Sequence, residues 1–311
     1  MLPTELGNEL IQTLEKLRPF IGNTPIWPVS LINKPGVRVL AKLEWYQLGG
    51  SVKSRAVYHI TRAAVQSNLL NRSISLLDAT SGNTGIAMAQ IGAALRIPVT
   101  LVLPENASPE RKNILNGLGA EIIYTSKFGT TDEAQEVALS MSFKHPGKYF
   151  YADQYSNENN WKAHLETTAS EIISQTDGKI THFIAGLGTT GTFIGTTIGL
   201  KSYNKNIKCI ALQPDSALHG LEGWKHLDTA KIPAIYRNDL ADEVREVLTS
   251  DAYRLVKKIA QEEGLLLSPS SAANLAGALQ LADEIDEGVI VTVCPDDMSK
   301  YQEVLHQINT I

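Results

Sequence analysis

Residues 80–85, TSGNTG, decide the fold, because they join an apolar strand-like run to a helix-like run. The run before them is SISLLDA and the run after them is IAMAQIGAAL. Four small polar side chains and two glycines at such a junction are typical of the loop between a buried strand and the next helix. In folds built this way, ligands bind at the carboxyl ends of the strands. The stretch therefore predicts an α/β fold with a ligand-binding loop.

The rest of the chain repeats this alternation of apolar, β-branched runs and helical patterns. Eight runs are candidate strands: VRVLAKLE, SISLLDA, PVTLVL, AEIIYT, KYFYA, HFIAGL, IKCIALQP and GVIVTV. Strand, helix, strand at this spacing predicts mostly parallel, twisted sheets with helices on both faces. Ser108 and Pro109 are residue types that begin helices. A change of composition around residues 145–160 marks a candidate domain boundary.

The composition argues against several classes of protein. Of the 311 residues, 43% are hydrophobic and 20% charged, the net charge is -5, and Lys and Arg are scattered, so no nucleic-acid surface is expected. The apolar runs are too short to span a membrane, and the first 20 residues lack a signal-peptide core, so we expect a cytoplasmic protein. Cys209 and Cys294 lie in apolar runs without metal spacing, which predicts buried free thiols and no metal site.

Two further loops carry candidate chemistry. The loop GLGTTGT, Gly186–Thr192, follows the strand HFIA and precedes a helix, so its glycines and hydroxyls could cradle a phosphate. Alone, it is equally well explained as an ordinary tight turn. Lys53, in LGGSVKSRAV at 48–57, could by itself be an exposed lysine in the first turn of a helix. Together, the two loops suggest a Schiff base between this lysine, activated by desolvation, and an aldehyde cofactor that carries a phosphate.

Eight motifs in the same order resemble those of one enzyme family. They are IGNTP (21–25), KLEWYQLGGSVKSRA (42–56), TSGNTG (80–85), LPENASPERK (103–112), GAEII (119–123), GLGTTGT (186–192), SPSSAA (268–273) and CPDD (294–297). The set resembles the cysteine synthase family, pyridoxal-phosphate enzymes of the tryptophan-synthase-β type. The matches cover almost the whole chain.

The resemblance implies a role for each matching residue. Lys53 would form the Schiff base with pyridoxal phosphate and later move the α-proton of the substrate. Asn83 would contact the 3′-oxygen of the cofactor, Pro295 would lie near its ring, and Ser270 would face the ring nitrogen and leave it largely neutral. The phosphate loop would be Gly188, Thr189, Thr190, Gly191 and Thr192. The substrate carboxylate would be bound by Thr80, Ser81, Gly82, Thr84 and Gln154.

The segment ALHGLEGWKHLDTAKIP, residues 217–233, would recognise the leaving group and the second substrate. Three side chains could meet an anionic group of the donor: His219, Lys225 and His226. Lys225 is the preferred candidate, as a point charge. The alternative is a solvated loop that packs on the body of the protein through three apolar side chains, Leu218, Leu221 and Trp224.

Several positions depart from the family pattern. Gln47 and Leu48 stand where the family has Asn-Pro, Ser54 stands for aspartate, and Ala272 stands for glycine. The family's NPAN is NENN, residues 157–160, in this chain. Because neighbouring residues orient those that touch the substrate, these departures leave the substrate preference open.

The resemblance also implies an architecture. We expect a two-domain enzyme of the tryptophan synthase β-like class, fold type II of the pyridoxal-phosphate enzymes. A smaller, mobile domain at 41–146 would bind the substrate carboxylate and close over the cofactor, which a larger domain, 1–40 plus 147–311, would hold. Closure would exclude water from the reaction.

The function that the resemblance implies is β-replacement on an O-activated L-serine, either O-acetylserine or O-phosphoserine, through an aminoacrylate. A sulfur donor, sulfide or a protein-borne thiocarboxylate, would then give L-cysteine. Other nucleophiles remain open, among them homocysteine, cyanide and an amino-acid amine, and so do a β-eliminating lyase and a weakly catalytic binding partner. The family also suggests a homodimer and a possible complex with a serine acetyltransferase tail or a sulfur-carrier protein.

Overall fold

The structure is a computed structural model that describes residues 5–80, 82–128 and 131–310. In chain order, the elements are α1 (Glu5–Leu17), β1 (Ile26–Val29), β2 (Val37–Leu43), α2 (Lys53–Gln66), β3 (Ser75–Ala79), α3 (Asn83–Leu95), β4 (Val99–Pro104), α4 (Pro109–Gly117), β5 (Glu121–Thr125), α5 (Thr131–Lys144), β6 (Tyr149–Tyr151), α6 (Asn159–Glu166), α7 (Thr168–Gln175), β7 (His182–Gly186), α8 (Gly191–Tyr203), β8 (Lys208–Pro214), β9 (Glu243–Val247), α9 (Thr249–Glu263), α10 (Pro269–Glu284), β10 (Gly288–Cys294) and α11 (Gln302–Thr310). Two short 3-10 helices span Arg18–Phe20 and Met298–Lys300.

The chain divides into two compact units. Unit 1 comprises the chain up to Ile21 together with Gln47–Asn160, and unit 2 comprises Gly22–Tyr46 together with the chain from Trp161 onward. Each unit has its own sheet and its own apolar core.

Unit 1 contains a four-stranded sheet in the order β5-β4-β3-β6, in which every pair is parallel. Its strands read as continuous apolar runs because β3 and β4 are buried along their whole length. Helix α4 begins as the sequence predicts: the Ser108 side chain accepts the Arg111 N–H and Pro109 occupies the first turn. Helix α1 packs on α2, and the Tyr58 hydroxyl donates to the Leu14 carbonyl at 3.1 Å.

Unit 2 contains a six-stranded sheet in the order β1-β2-β10-β7-β8-β9. All pairs are parallel except β1 with β2, which are antiparallel. Helix α10 packs on β10, β7 and β2 and carries much of the core, because nearly every residue from Pro269 to Ala278 is buried.

These sheets confirm the α/β class and the mostly parallel strands, with helices on both faces. The eight candidate strands all form, and the structure adds β1 and β9, which were not predicted. Both are edge strands: β1 contains Pro28, and β9, EVREV, has charged residues at three of its five positions. Prolines and charged residues are common on edge strands, and they interrupt the apolar pattern by which a strand is recognised in the sequence. No helix in the described ranges is long and apolar enough to cross a membrane.

The unit boundaries differ from the expected domains, 41–146 and 1–40 plus 147–311. The N-terminal helix belongs to unit 1, because Leu10 and Leu14 are fully buried in its core. Strand β2 belongs to unit 2, because it pairs with β10 along its length. Residues 147–160 join unit 1 through β6, which pairs with β3.

Candidate active site

Lys53 is the first residue of α2, directly after a tight loop. Gly49 and Gly50 both have the left-handed backbone conformation that glycine allows at little cost. The Ser54 hydroxyl donates to the Leu48 carbonyl and closes the loop, and the Lys53 N–H donates to the Ser51 hydroxyl at 3.4 Å. Lys53 lines a cavity in unit 1, together with Thr84 and Gln154. The loop thus delivers a lysine to a partly enclosed site, not to an exposed helix surface.

The TSGNTG loop lies between β3 and α3, as the sequence predicts. Thr80 and Thr84 are buried, and the Gly82 N–H donates to the Thr80 hydroxyl at 3.2 Å. The Thr84 hydroxyl donates to the Gln154 side-chain carbonyl at 2.7 Å, so two residues separated by 70 positions meet at the start of α3. Asn83 is the first residue of that helix. Ser81, predicted to bind the carboxylate, lies outside the described residues.

A buried carboxylic acid, Asp78, lines the same cavity and was not predicted. Burial raises the pKa of the Asp78 carboxyl to about 8; the Asp153 carboxylate adds to this effect, and the N–H groups of Ala79 and Gln154 oppose it. The Ala79 N–H donates to one carboxyl oxygen at 2.8 Å. At neutral pH this acid therefore holds its proton. In the sequence, the available signal for this buried acid was its position as the single charged residue in an apolar run.

The second predicted loop, GLGTTGT, lies in unit 2 between β7 and α8. Gly186 ends the strand, and its N–H donates to the Asn274 side chain at 2.7 Å. Thr190 precedes the helix with a φ of 72°, and its buried hydroxyl has no hydrogen-bond partner among the described residues. The Thr189 hydroxyl accepts the Gly191 N–H at 3.4 Å. Helix N-termini have spare N–H donors, so this loop can bind an anion.

Gly188 shows why the loop needs glycine. A β-carbon at this position would overlap the carbonyl oxygen of Gly223. A β-carbon on Gly186 would likewise overlap the indole ring of Trp224. The two glycines therefore allow the segment around 223–224 to lie directly against the loop.

His164, on α6, is a residue of this site that the sequence analysis missed. Its Nε2 is 3.2 Å from the Thr192 hydroxyl, and its Nδ1 is 2.9 Å from the Thr168 hydroxyl. Gly195 lets α8 approach α6 closely, because a β-carbon there would overlap the Trp161 carbonyl oxygen. The imidazole thus orients a hydroxyl of the predicted phosphate loop.

Ser270, predicted to face the ring nitrogen, is buried near the start of α10. Its hydroxyl lies 3.3 Å from the hydroxyl of Ser268, which donates to Asp296 at 2.5 Å. Tyr301 donates to the other Asp296 oxygen at 2.5 Å. Pro295, the remaining predicted ring contact, is half-buried and follows β10. Asp297 caps the 3-10 helix at Met298–Lys300, because its side chain accepts the Ser299 N–H.

The segment that contains Lys225 is held against the predicted phosphate loop by its backbone. The Lys225 N–H donates to the Leu187 carbonyl at 2.7 Å. Leu221 and Trp224 are buried, whereas Leu218 is 96% exposed, so the alternative of a loop packed through three apolar side chains is wrong for Leu218. Burial lowers the pKa of His219, and its Nδ1 accepts the Leu221 N–H at 3.1 Å.

The two cysteines are buried free thiols, as predicted. Burial raises the pKa of Cys209 to about 11 and raises that of Cys294 further, so neither is a thiolate at neutral pH. Within the described ranges, no group of three or more His, Cys, Asp or Glu side chains could hold a metal ion.

The chain's residues fit pyridoxal phosphate. An unpartnered buried hydroxyl, on Thr190, lies at the N-terminus of a 13-residue helix, which is the donor set that a phosphate requires. Lys53 lines a cavity whose other walls are mostly apolar, and a lysine amine is the group that forms a Schiff base with an aldehyde.

Comparison with known proteins agrees with this fit. Residues 17–296 match the family model described as pyridoxal-phosphate dependent enzyme. The chain is 42% identical over 295 residues to a cysteine synthase of Aquifex aeolicus, covering 92% of this chain and 90% of that protein. It is 35% identical to cysteine synthase B of Escherichia coli, with 93% and 94% covered. The crystal structure of cysteine synthase from Entamoeba histolytica superimposes with a TM-score of 0.89 at 32% identity, covering 96% of this chain and 90% of that one. The chain therefore belongs to the cysteine synthase family of pyridoxal-phosphate dependent enzymes.

Proposed function

We propose that this enzyme replaces the β-substituent of an O-activated L-serine, O-acetylserine or O-phosphoserine, with a sulfur nucleophile to give L-cysteine. The observation that carries the proposal is that Lys53 and the start of α3 border the same small space in unit 1. Lys53, Thr84 and Gln154 all line it, and the Thr84 hydroxyl donates to the Gln154 side chain. The amine of Lys53 can move a proton, and the start of α3 offers a binding site for an anion, which we call the seat.

The seat suits the carboxylate of an amino acid. Thr80 and Thr84 supply hydroxyls, Gln154 supplies an amide, and the first turn of α3 supplies backbone N–H groups and the positive end of a helix dipole. Because the Gln154 amide also donates to the Ala79 carbonyl at 3.4 Å, its orientation is fixed before substrate binds. A preorganised seat places the α-carbon of the substrate in one position relative to Lys53.

The cofactor contacts that we propose are those implied by the family resemblance. In unit 1, Lys53 would tether the aldehyde and Asn83 would contact the ring oxygen. In unit 2, the loop Gly188–Thr192 would bind the phosphate, Ser270 would face the ring nitrogen, and Pro295 would border the ring. When bound, pyridoxal phosphate supplies the electron-withdrawing group that makes the α-proton of the substrate acidic.

Lys53 then performs the proton transfers at the α-carbon. Its amine accepts the α-proton as a general base when the β-substituent leaves, and it returns a proton to the same carbon after the sulfur has added. Lys225 would interact with an anionic leaving group or second substrate, since its backbone is bonded to the phosphate loop.

The test is product formation by the purified holoenzyme. O-acetylserine and O-phosphoserine are supplied in turn with sulfide, and L-cysteine is quantified by mass spectrometry. We expect cysteine from at least one donor, and we expect Lys53→Ala to abolish it together with the visible absorption of the bound cofactor. Lys201→Ala, a change in a surface ion pair with Asp242, is the matched control and should keep both.

The same assay separates the alternatives. Pyruvate without cysteine would indicate a β-eliminating lyase, and product only with homocysteine, cyanide or an amino-acid amine would identify another nucleophile. No product with any donor would refute the proposal and favour a binding role. The mobility of the smaller domain, the homodimer, the cytoplasmic location and a complex with a serine acetyltransferase tail or a sulfur-carrier protein stay predictions.

A further inference from the structure

The cavity in unit 1 extends beyond the residues to which the proposed function gives a role. Its walls come from α2, β3, α3 and the segment after β6. They are lined by Lys53, Ala56, Val57, Ile60, Thr61, Leu76, Asp78, Thr84, Met88, Ala152 and Gln154. Most of these side chains are apolar, and the space has room for a molecule about the size of water.

Two polar atoms on this wall lack a partner. The Thr61 hydroxyl and the second carboxyl oxygen of Asp78 are buried without a hydrogen-bond partner among the described residues. Thr61 is 1% exposed and Asp78 is 0% exposed, so bulk water does not satisfy them. Buried polar atoms are almost always hydrogen-bonded, and leaving one unsatisfied costs about 1–3 kcal/mol. Two such atoms on one small cavity point to a missing ligand.

The strand geometry places the Asp78 side chain on the cavity side of the sheet. Side chains alternate along a strand, so Leu76 and Asp78 share one face, and both line the cavity. Leu77 and Ala79 belong to a separate core cluster on the opposite face.

The neighbouring polar groups already have partners. The Thr84 hydroxyl donates to Gln154, and the Gln154 amide donates to the Ala79 carbonyl. A ligand in the cavity would therefore form its hydrogen bonds with Thr61 and Asp78. It must be small, able both to donate and to accept, and compatible with an otherwise apolar wall.

We propose that this cavity binds one water molecule, which hydrogen-bonds to the Thr61 hydroxyl and to the second carboxyl oxygen of Asp78. Water both donates and accepts hydrogen bonds through one small atom, so it fits the size of the space and the two groups that lack partners.

Stability tests the site without any turnover. Thr61→Val keeps the shape of the side chain and removes the hydroxyl. If a ligand is bound, the variant loses a hydrogen bond and leaves the ligand with one partner fewer. The urea concentration at the midpoint of unfolding then falls. If the space is empty, the variant removes an unsatisfied buried hydroxyl, and the midpoint rises.

A matched control lies in the same unit. Thr125, at the end of β5, also has a buried hydroxyl without a partner among the described residues, but it does not line the cavity. Thr125→Val should leave the midpoint unchanged or raise it. The proposal is overturned if both variants behave alike, or if a crystal structure of the holoenzyme shows no density within hydrogen-bond distance of the two oxygens.

Discussion

Asp78→Asn should change how the stability of the protein depends on pH. The Asp78 carboxyl has its pKa raised from 3.8 to about 8, chiefly by burial. A carboxyl whose pKa is higher in the folded state binds its proton more tightly there than in the unfolded chain. Its contribution to stability is fully present below about pH 4 and is lost as the pH rises through about 8. Asparagine has a similar shape and does not titrate, so the variant lacks this loss.

The magnitude follows from the pKa change. Each pKa unit corresponds to about 1.4 kcal/mol, so the full effect is about 6 kcal/mol. Between about pH 5 and pH 8, the free energy of unfolding of the original protein should fall relative to that of Asp78→Asn by about 4 kcal/mol. The groups that act on Asp78 are the Asp153 carboxylate and the N–H groups of Ala79 and Gln154. Lys53 lines the same cavity.

Urea unfolding of both proteins at a series of pH values measures the difference directly. Asp177→Asn is the matched control, because Asp177 is exposed and its left-handed backbone conformation suits asparagine. The control should follow the original protein at every pH. Parallel curves for the original protein and Asp78→Asn would refute the conclusion that the buried acid is protonated at neutral pH.

Three further changes test other parts of the site. His164→Ala should weaken pyridoxal phosphate binding about tenfold, because roughly one hydrogen bond at the predicted phosphate loop is lost. A fluorescence titration of the apoenzyme measures this affinity, and an unchanged value would show that the imidazole does not support cofactor binding. Gly188→Ala should yield protein that retains little cofactor, because its β-carbon overlaps the Gly223 carbonyl oxygen; full occupancy by absorption would contradict the packing argument. Thr84→Val should raise KM for the serine ester about tenfold, because it removes a hydroxyl from the carboxylate seat and frees Gln154, whereas a change in kcat alone would place the residue elsewhere.

Much of the architecture follows from local sequence patterns. The buried strands β3, β4, β7, β8 and β10 are continuous apolar runs, so they are visible without any tertiary information. Edge strands such as β1 and β9 carry a proline or charges because one side of each lies outside the sheet, and their patterns are therefore weak. The membership of α1 in unit 1 depends on its packing against α2, which no local pattern records.

The site also combines features that the local sequence shows with contacts that depend on the fold. Glycine-rich loops at strand ends and the lysine before a helix are local features, and the sequence predicts them. His164 lies 28 residues from Thr192, and Thr84 lies 70 residues from Gln154, so their hydrogen bonds depend on the fold. The raised pKa of Asp78 depends on burial, which a single acid within an apolar run indicates only when its surroundings are known.

The departures around Lys53 form one consistent local arrangement. Ser54 is fully buried, and its hydroxyl donates to the carbonyl of Leu48, six residues earlier. An ionised aspartate at position 54 could only accept hydrogen bonds, so it could not make this contact and would need a different donor. The Gln47 carbonyl accepts the Gly50 N–H at 2.9 Å, which requires a turn that these residues supply. Because the Ser54 hydroxyl bonds to a backbone carbonyl of the loop, the loop still begins α2 at Lys53, and the differences from the family pattern are compatible with the role proposed for this lysine.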